Sequence, residues 1–187
     1  MKIRRALTGL AVPALLLATS GVADAADRPA ADPFASCAKW EPYPVSRLHT
    51  ELLGLPETIP AATWTKFTFR VKNTSQGPLK AVALQVDAGV TQYSPVRADR
   101  KIAVQWWDKA AATWRAMPAG HLAFQTVPGG VKAGATKDVK MRIKVAGGPG
   151  EAFGDAVQDA NYIAPDNTCG RGGNMDLYTF TVPKPTA

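Results

Sequence analysis

Histidine, cysteine and paired carboxylates do most protein chemistry, and this chain of 187 residues holds only two histidines and two cysteines. A general base needs a partner within hydrogen-bond reach. His49 alternates in phase with Arg47 and Glu51, which puts it on a solvent face, and His121 follows Gly120 in a turn. No G-x-S-x-G, H-E-x-x-H or Cys/His nucleophile pair is present. The C-terminal quarter does gather oxygen ligands: Asp155, Asp159, Asp166 and Asp176, interleaved with Asn161, Asn167 and Asn174. Ca²⁺ favours such donors, but the D-x-[DN]-x-[DN]-G loop is absent. Gly170, Gly172 and Gly173 read more simply as turn residues around a disulfide. The expectation is therefore no catalytic residue, no metal, no cofactor and no enzyme.

Binding chemistry is better represented. "VQWWDKAAATWRAM" carries Trp106, Trp107 and Trp114, three of five tryptophans. Exposed and aligned, such rings stack on sugars; buried, they pack one hairpin. Lys66, Arg70 and Lys72 recur at alternate positions, as do Lys140, Arg142 and Lys144. If those two strands are neighbours, their outward faces merge into a cationic patch for anionic polymers. The competing explanation is a solvated face that guards against edge pairing.

The compartment bears on both. Residues 1–25 read as a signal peptide: basic Met1-Lys2-Ile3-Arg4-Arg5, an apolar stretch over 6–22, and a small-x-small cleavage site at Ala23-Asp24-Ala25. Gly9, Pro13 and Gly21 interrupt that stretch, so it is not read as a membrane span. Removing the leader leaves 162 residues and takes with it Lys2, Arg4, Arg5 and Asp24, so the formal charge of +7 falls to +5. A chain of this length is expected to form one domain. Its modest positive charge suits contact with anionic wall polymers or phospholipid surfaces, although bland surface chemistry gives the same number, and no helical basic stripe points to nucleic acid. In an oxidising compartment Cys37 and Cys169 are expected to pair as a disulfide.

The elements that must position these groups read as strands. Residues 26–36 are Pro/Ala/Asp-rich and expected to be disordered, and 184–187 form a short tail. Alternation predicts strands over 45–53, with Leu48, Thr50 and Leu52 on one side, and over 64–73, with Phe67, Phe69 and Val71 inward. Further strands are expected over 79–88, 100–108, 113–117, 122–127 and 137–146, then a weaker one over 156–163 and a last one over 178–182. Residues 166–176 read as a polar loop containing Cys169. About eight strands without a persuasive helix predict an immunoglobulin-like β-sandwich spanning 37–183.

On these residues a resemblance can be stated. "GLPETIPAATWTKFTFRVKNTSQGPLKAVALQV" is similar to the opening strands of Ig-like domains in secreted proteins of Streptomyces-type actinobacteria, and to NEW3-type domains. "VQWWDKAAATWRAM", "GGVKAGATKDVKMRIKV" and "DNTCGRGGNMDLYTFTV" match later pieces of that pattern, over about 53–182. The resemblance implies a sandwich fold. Some relatives carry a wall-sorting signal; this chain stops without one, so anchoring is not carried over.

The Trp hairpin has two registers. One pairs Trp106 with Trp114, Val104 with Ala116 and Trp107 with Thr113, leaving only Trp107 outside. The other pairs Trp107 with Trp114 and sets Arg115 opposite Trp106, where a buried guanidinium would be costly. The first is expected, since register follows hydrophobic pattern. The functional expectation is a secreted, non-catalytic binding or adhesion module for a cell-wall glycan, anionic wall polymer or surface protein. Trp107, Lys140, Arg142 and Lys144 are its candidate contacts. The alternatives are a carbohydrate-binding module using exposed aromatics and, third, a small hydrolase.

Overall fold

In the computed structural model the described residues are 34, 37–42, 46–117, 125–126 (backbone only), 130–172 and 174–184. The expected leader, the segment before Cys37 apart from Phe34, His121 and the tail beyond Lys184 lie outside them, as does residue 45. Among the described residues twelve strands form two facing sheets, a β-sandwich. Three strands, β1 (Lys39–Trp40), β5 (Ala98–Asp99) and β8 (Gln125–Thr126), have two residues each.

The first sheet contains β2 (Leu48–Leu53), β3 (Thr65–Asn73), β9 (Thr136–Val145), β6 (Ile102–Asp108) and β7 (Thr113–Ala116), in that spatial order. The second is built on the antiparallel pair β4 (Ala81–Gln92) and β10 (Ala152–Ile163), twelve residues each. Beside β10 run β11 (Thr168–Arg171) and β12 (Leu177–Val182); beside β4 run β5 and β8. Phe67, Phe69, Val71, Met141, Ile143 and Val145 from one sheet meet Val82, Leu84, Val86 and Val90 from the other, all buried. Each such side chain contributes about 1.5–3 kcal/mol by leaving water. The alternation over β3 and β9 is the one expected, with Lys and Arg outward.

Four expectations need correction. The weak strand at 156–163 is the long central β10. Its inward positions, Ala152, Gly154, Ala156 and Ala160, are small, so alternation in hydrophobicity is muted there. The smallness has a use: a Cβ on Gly154 would lie 2.3 Å from the Phe180 ring, which packs over the strand. The 79–88 strand runs on to Gln92. The 100–108 strand starts only at Ile102, as β6; β5 before it belongs to the other sheet, and the chain changes sheet at Arg100, whose buried guanidinium donates to Gln92 Oε1 (2.8 Å) and to the Gly150 carbonyl. The 166–176 loop contains β11, which pairs with β10 and, in parallel, with β1.

Two devices close the margins. Cys37 and Cys169 form a disulfide, as expected, with a sequence separation of 132, pinning the segment that leads into β1 to β11. The open edge of β2 is covered by side chains rather than by a strand. Asn174 Oδ1 accepts from the Thr50 N–H (2.9 Å), Asn174 Nδ2 donates to the Thr50 carbonyl (2.6 Å), and the Leu52 N–H donates to Tyr178 Oη (2.9 Å). Buried backbone groups need such partners.

Candidate functional site

The outward face of the five-stranded sheet brings the candidate residues together. β3 and β9 are adjacent, with Lys66 opposite Arg142 and Thr68 opposite Lys140, so the basic side chains of both strands share one surface. On the other side of β9, Gln105 of β6 stands opposite Arg142. The charges are not uniform along the face. Toward one end, Arg70 is neutralised by a two-bond pair with Asp138 (both 2.8 Å) and by Glu51. At the other end Lys66, Lys140, Arg142 and Lys144 have no ion pair with a carboxylate among the described residues.

The Trp hairpin adopts the register that was not expected. Trp107 pairs with Trp114, Trp106 with Arg115 and Asp108 with Thr113. The Met117 N–H donates to the Val104 carbonyl at 2.9 Å. The cost assigned to this register assumed a buried guanidinium. β7 is an edge strand, however, so Arg115 stays 49% exposed and its Nε donates to Asp108 Oδ2 at 2.7 Å. Asp108 also fixes the turn, accepting from the Ala110 and Ala111 N–H groups at 3.0 and 3.1 Å, while Ala112 takes φ 49°. An Asp opening a turn in this way was the available signal. Trp106, expected in the core, packs half-buried against it, whereas Trp114, also expected there, joins Trp107 outside.

The two rings lie edge to face, centroids 5.4 Å apart at 67°, both half-buried. They wall a shallow groove of about 520 Å³ whose other lining includes Leu53, Lys66, Thr68 and Lys140. Beside it Arg142 lies between two indoles, its Cζ 4.3 Å from the Trp64 ring centroid and 4.4 Å from that of Trp114. Its Nε donates to Gln105 Oε1 at 2.7 Å. Lys144 Nζ rests 4.9 Å from the Trp64 centroid. Each exposed cation–π contact contributes about 0.5–1 kcal/mol, and a hydrogen bond about 1. Together these offset the roughly 2 kcal/mol of rotamer entropy an arginine loses when held still. Arg142 is thus ordered in advance, with its terminal nitrogens outside the Gln105 bond.

Trp107, Lys140, Arg142 and Lys144 therefore share one surface. Trp64 and Trp114 were missed as contacts. Trp64 had a signal, its outward parity with Lys66; Trp114 was lost to the register.

His49 is exposed on β2, opposite Lys72. Asp166 accepts from the Thr168 N–H and hydroxyl, which hold its carboxyl below the usual range. Asp176 accepts from Gln158 and Asn174. Burial pushes the Asp159 carboxyl up, against an Ala160 N–H bond that lowers it. Among the described residues no three His, Cys, Asp or Glu side chains converge as a metal site, and no helix is long and apolar enough to cross a membrane.

No family model and no curated protein matches the chain. Solved structures similar to it include AvmM, which catalyses macrocyclization in alchivemycin A biosynthesis, at 14% identity over 76% of this chain and 92% of that one, TM-score 0.45. A CARDB domain from Pyrococcus furiosus, in complex with di-metal ions, is 14% identical over 73% of this chain and 85% of its own, TM-score 0.39. Native alpha-2-macroglobulin from Escherichia coli is 12% identical over 74% of this chain and 17% of that one, TM-score 0.41. No residue role passes from these proteins to this chain.

Proposed function

We propose that this is an exported, non-catalytic binding domain of the Ig-like kind, and that it engages polysaccharide on the outward face of its five-stranded sheet. The observation that carries the reading is the Trp107–Trp114 groove set beside Lys66, Lys140 and Arg142. Half-exposed indoles offer apolar surface to the C–H faces of sugar rings, and neighbouring Lys and Arg donate to hydroxyl and acidic groups. Export is supported by the leader pattern over residues 1–25 and by the Cys37–Cys169 disulfide, a bond that persists outside the reducing cytosol. The absence of catalytic motifs and the structural engagement of Asp166 and Asp176 favour binding over turnover.

The test is retention of the folded protein on a panel of insoluble and soluble polysaccharides, with Trp107→Ala and Trp114→Ala beside the parent. Retention of the parent on at least one polymer, weakened by either substitution, is expected. Equal retention of all three proteins, or none on any polymer, would remove the groove from function. Turnover of a glycoside or ester by the purified protein would refute the non-catalytic part, and N-terminal sequencing of secreted material should begin at Ala26.

A further inference from the structure

The groove accounts for two tryptophans but leaves the bracketed arginine unexplained. A guanidinium needs no ring on both sides to stay soluble, and a lysine at position 142 would supply the same charge. What the bracket adds is orientation. Trp64 and Trp114 lie against the guanidinium at 4.3 and 4.4 Å, Gln105 takes Nε–H, and the two terminal nitrogens remain as a fixed donor fork. Such a fork matches the two oxygens of a carboxylate or phosphate, and its planarity is what separates Arg from Lys. Around it Lys66 stands directly across the strand pair and Lys140 and Lys144 flank it along β9. The nearest acid along β9, Asp138, is engaged by Arg70.

Resting on the polysaccharide reading above, we infer that the bound polymer is anionic, and that Arg142 is the specificity-determining residue, reading a carboxylate or phosphate on the sugar chain bidentately. The same tryptophans that would stack a neutral sugar are partly occupied: Trp64 carries both Arg142 and Lys144, and Trp114 carries Arg142 while meeting Trp107 edge-on. That leaves the charged fork, rather than a row of free ring faces, as the principal contact. Charge complementarity favours a polyanion. The apolar groove wall and the oxidised disulfide favour a sugar polymer outside the cell over a nucleic acid.

The experiment measures binding of the disulfide-intact protein to polygalacturonate, to poly(glycerol phosphate), to neutral dextran and to a single-stranded oligodeoxynucleotide, by titration calorimetry at two salt concentrations. The parent should bind one or both of the first two at least about tenfold more tightly than dextran, the two arms separating carboxylate from phosphate. Arg142→Lys keeps the charge and should lose about tenfold or more of that preference, the scale of a charge-assisted hydrogen bond. Lys66→Gln should weaken both anionic polymers alike and reduce the salt dependence. Unchanged thermal midpoints establish that both variants fold. Equal affinity for dextran and the charged polymers overturns the anionic inference while leaving a polysaccharide site. An unchanged preference in Arg142→Lys overturns the fork. Tighter binding to the oligonucleotide than to any polysaccharide overturns both this inference and the function it rests on.

Discussion

Replacing Asn174 by alanine tests whether one side chain stands in for a missing strand. Among the described residues no strand neighbours the outer edge of β2, yet Thr50 at its centre is fully buried. The Asn174 amide meets it on both sides, accepting from the N–H at 2.9 Å and donating to the carbonyl at 2.6 Å. In Asn174→Ala the carbonyl keeps a second donor, Gln158 Nε2 at 3.2 Å, but the N–H keeps none. Losing the carbonyl bond should cost about 1 kcal/mol, and stranding the buried donor about 1–3 more. The expected loss is therefore about 2–4 kcal/mol, a large share of the roughly 5–15 kcal/mol that holds a domain together. For a chain of this size that lowers the melting temperature by roughly 5–15 °C. Urea unfolding followed by tryptophan fluorescence gives the free energy, and amide exchange at Thr50 gives the local effect. A loss below about 0.5 kcal/mol, with Thr50 still protected from exchange, would show that water replaces the amide at no cost and would refute the reasoning.

Three further outcomes are expected. Serine at both Cys37 and Cys169 frees a loop with a separation of 132, and the chain-entropy relation puts the loss near 5 kcal/mol by equilibrium unfolding; a loss under about 1 kcal/mol would mean the unfolded chain is already compact. Glu41 should give an acid limb to stability. Burial raises its pKa from the ordinary 4.5, but hydrogen bonds from Arg47 and Tyr162 and the Arg47 charge outweigh this and hold it lower. Its contribution is thus present above about pH 4.5 and lost as pH falls through the lowered value. The parent's stability should fall toward that of Glu41→Gln as the solution is acidified, and a constant gap would remove Glu41 as the cause. The hairpin register predicts an exciton couplet in far-ultraviolet circular dichroism between Trp107 and Trp114. It should vanish in W107F and W114F and persist in W106F; a couplet lost in W106F and W114F but kept in W107F would restore the register in which Trp106 faces Trp114.

Much of this architecture is legible in residue order. Phe67, Phe69 and Val71 alternate with Lys66, Thr68 and Arg70, and Met141 and Ile143 with Lys140 and Arg142, because successive side chains on a strand point to opposite faces. That parity placed Lys140, Arg142 and Lys144 outside before any fold was known. β10 was faint because Ala and Gly fill inward positions that a larger residue would have made obvious. Thr50 reads as a buried polar residue among leucines, and nothing local to it announces a partner 124 positions away. The Trp hairpin failed for a different reason: hydrophobic pattern selects register only where both strands are covered, and β7 is an edge.

The sequence by itself therefore determined the strands of β2, β3 and β9, which of their residues face water, and the single pairing open to two cysteines. Those are properties of alternation along one chain or of simple elimination. Tertiary structure alone decided that β3 and β9 are neighbours, that Arg70 is cancelled by Asp138 while Arg142 is left between Trp64 and Trp114, and that Trp107 and Trp114 share a groove. Parity is set within a few residues of backbone, whereas adjacency, register and edge exposure depend on how distant strands are stacked. The candidate site is made wholly of that second kind of information.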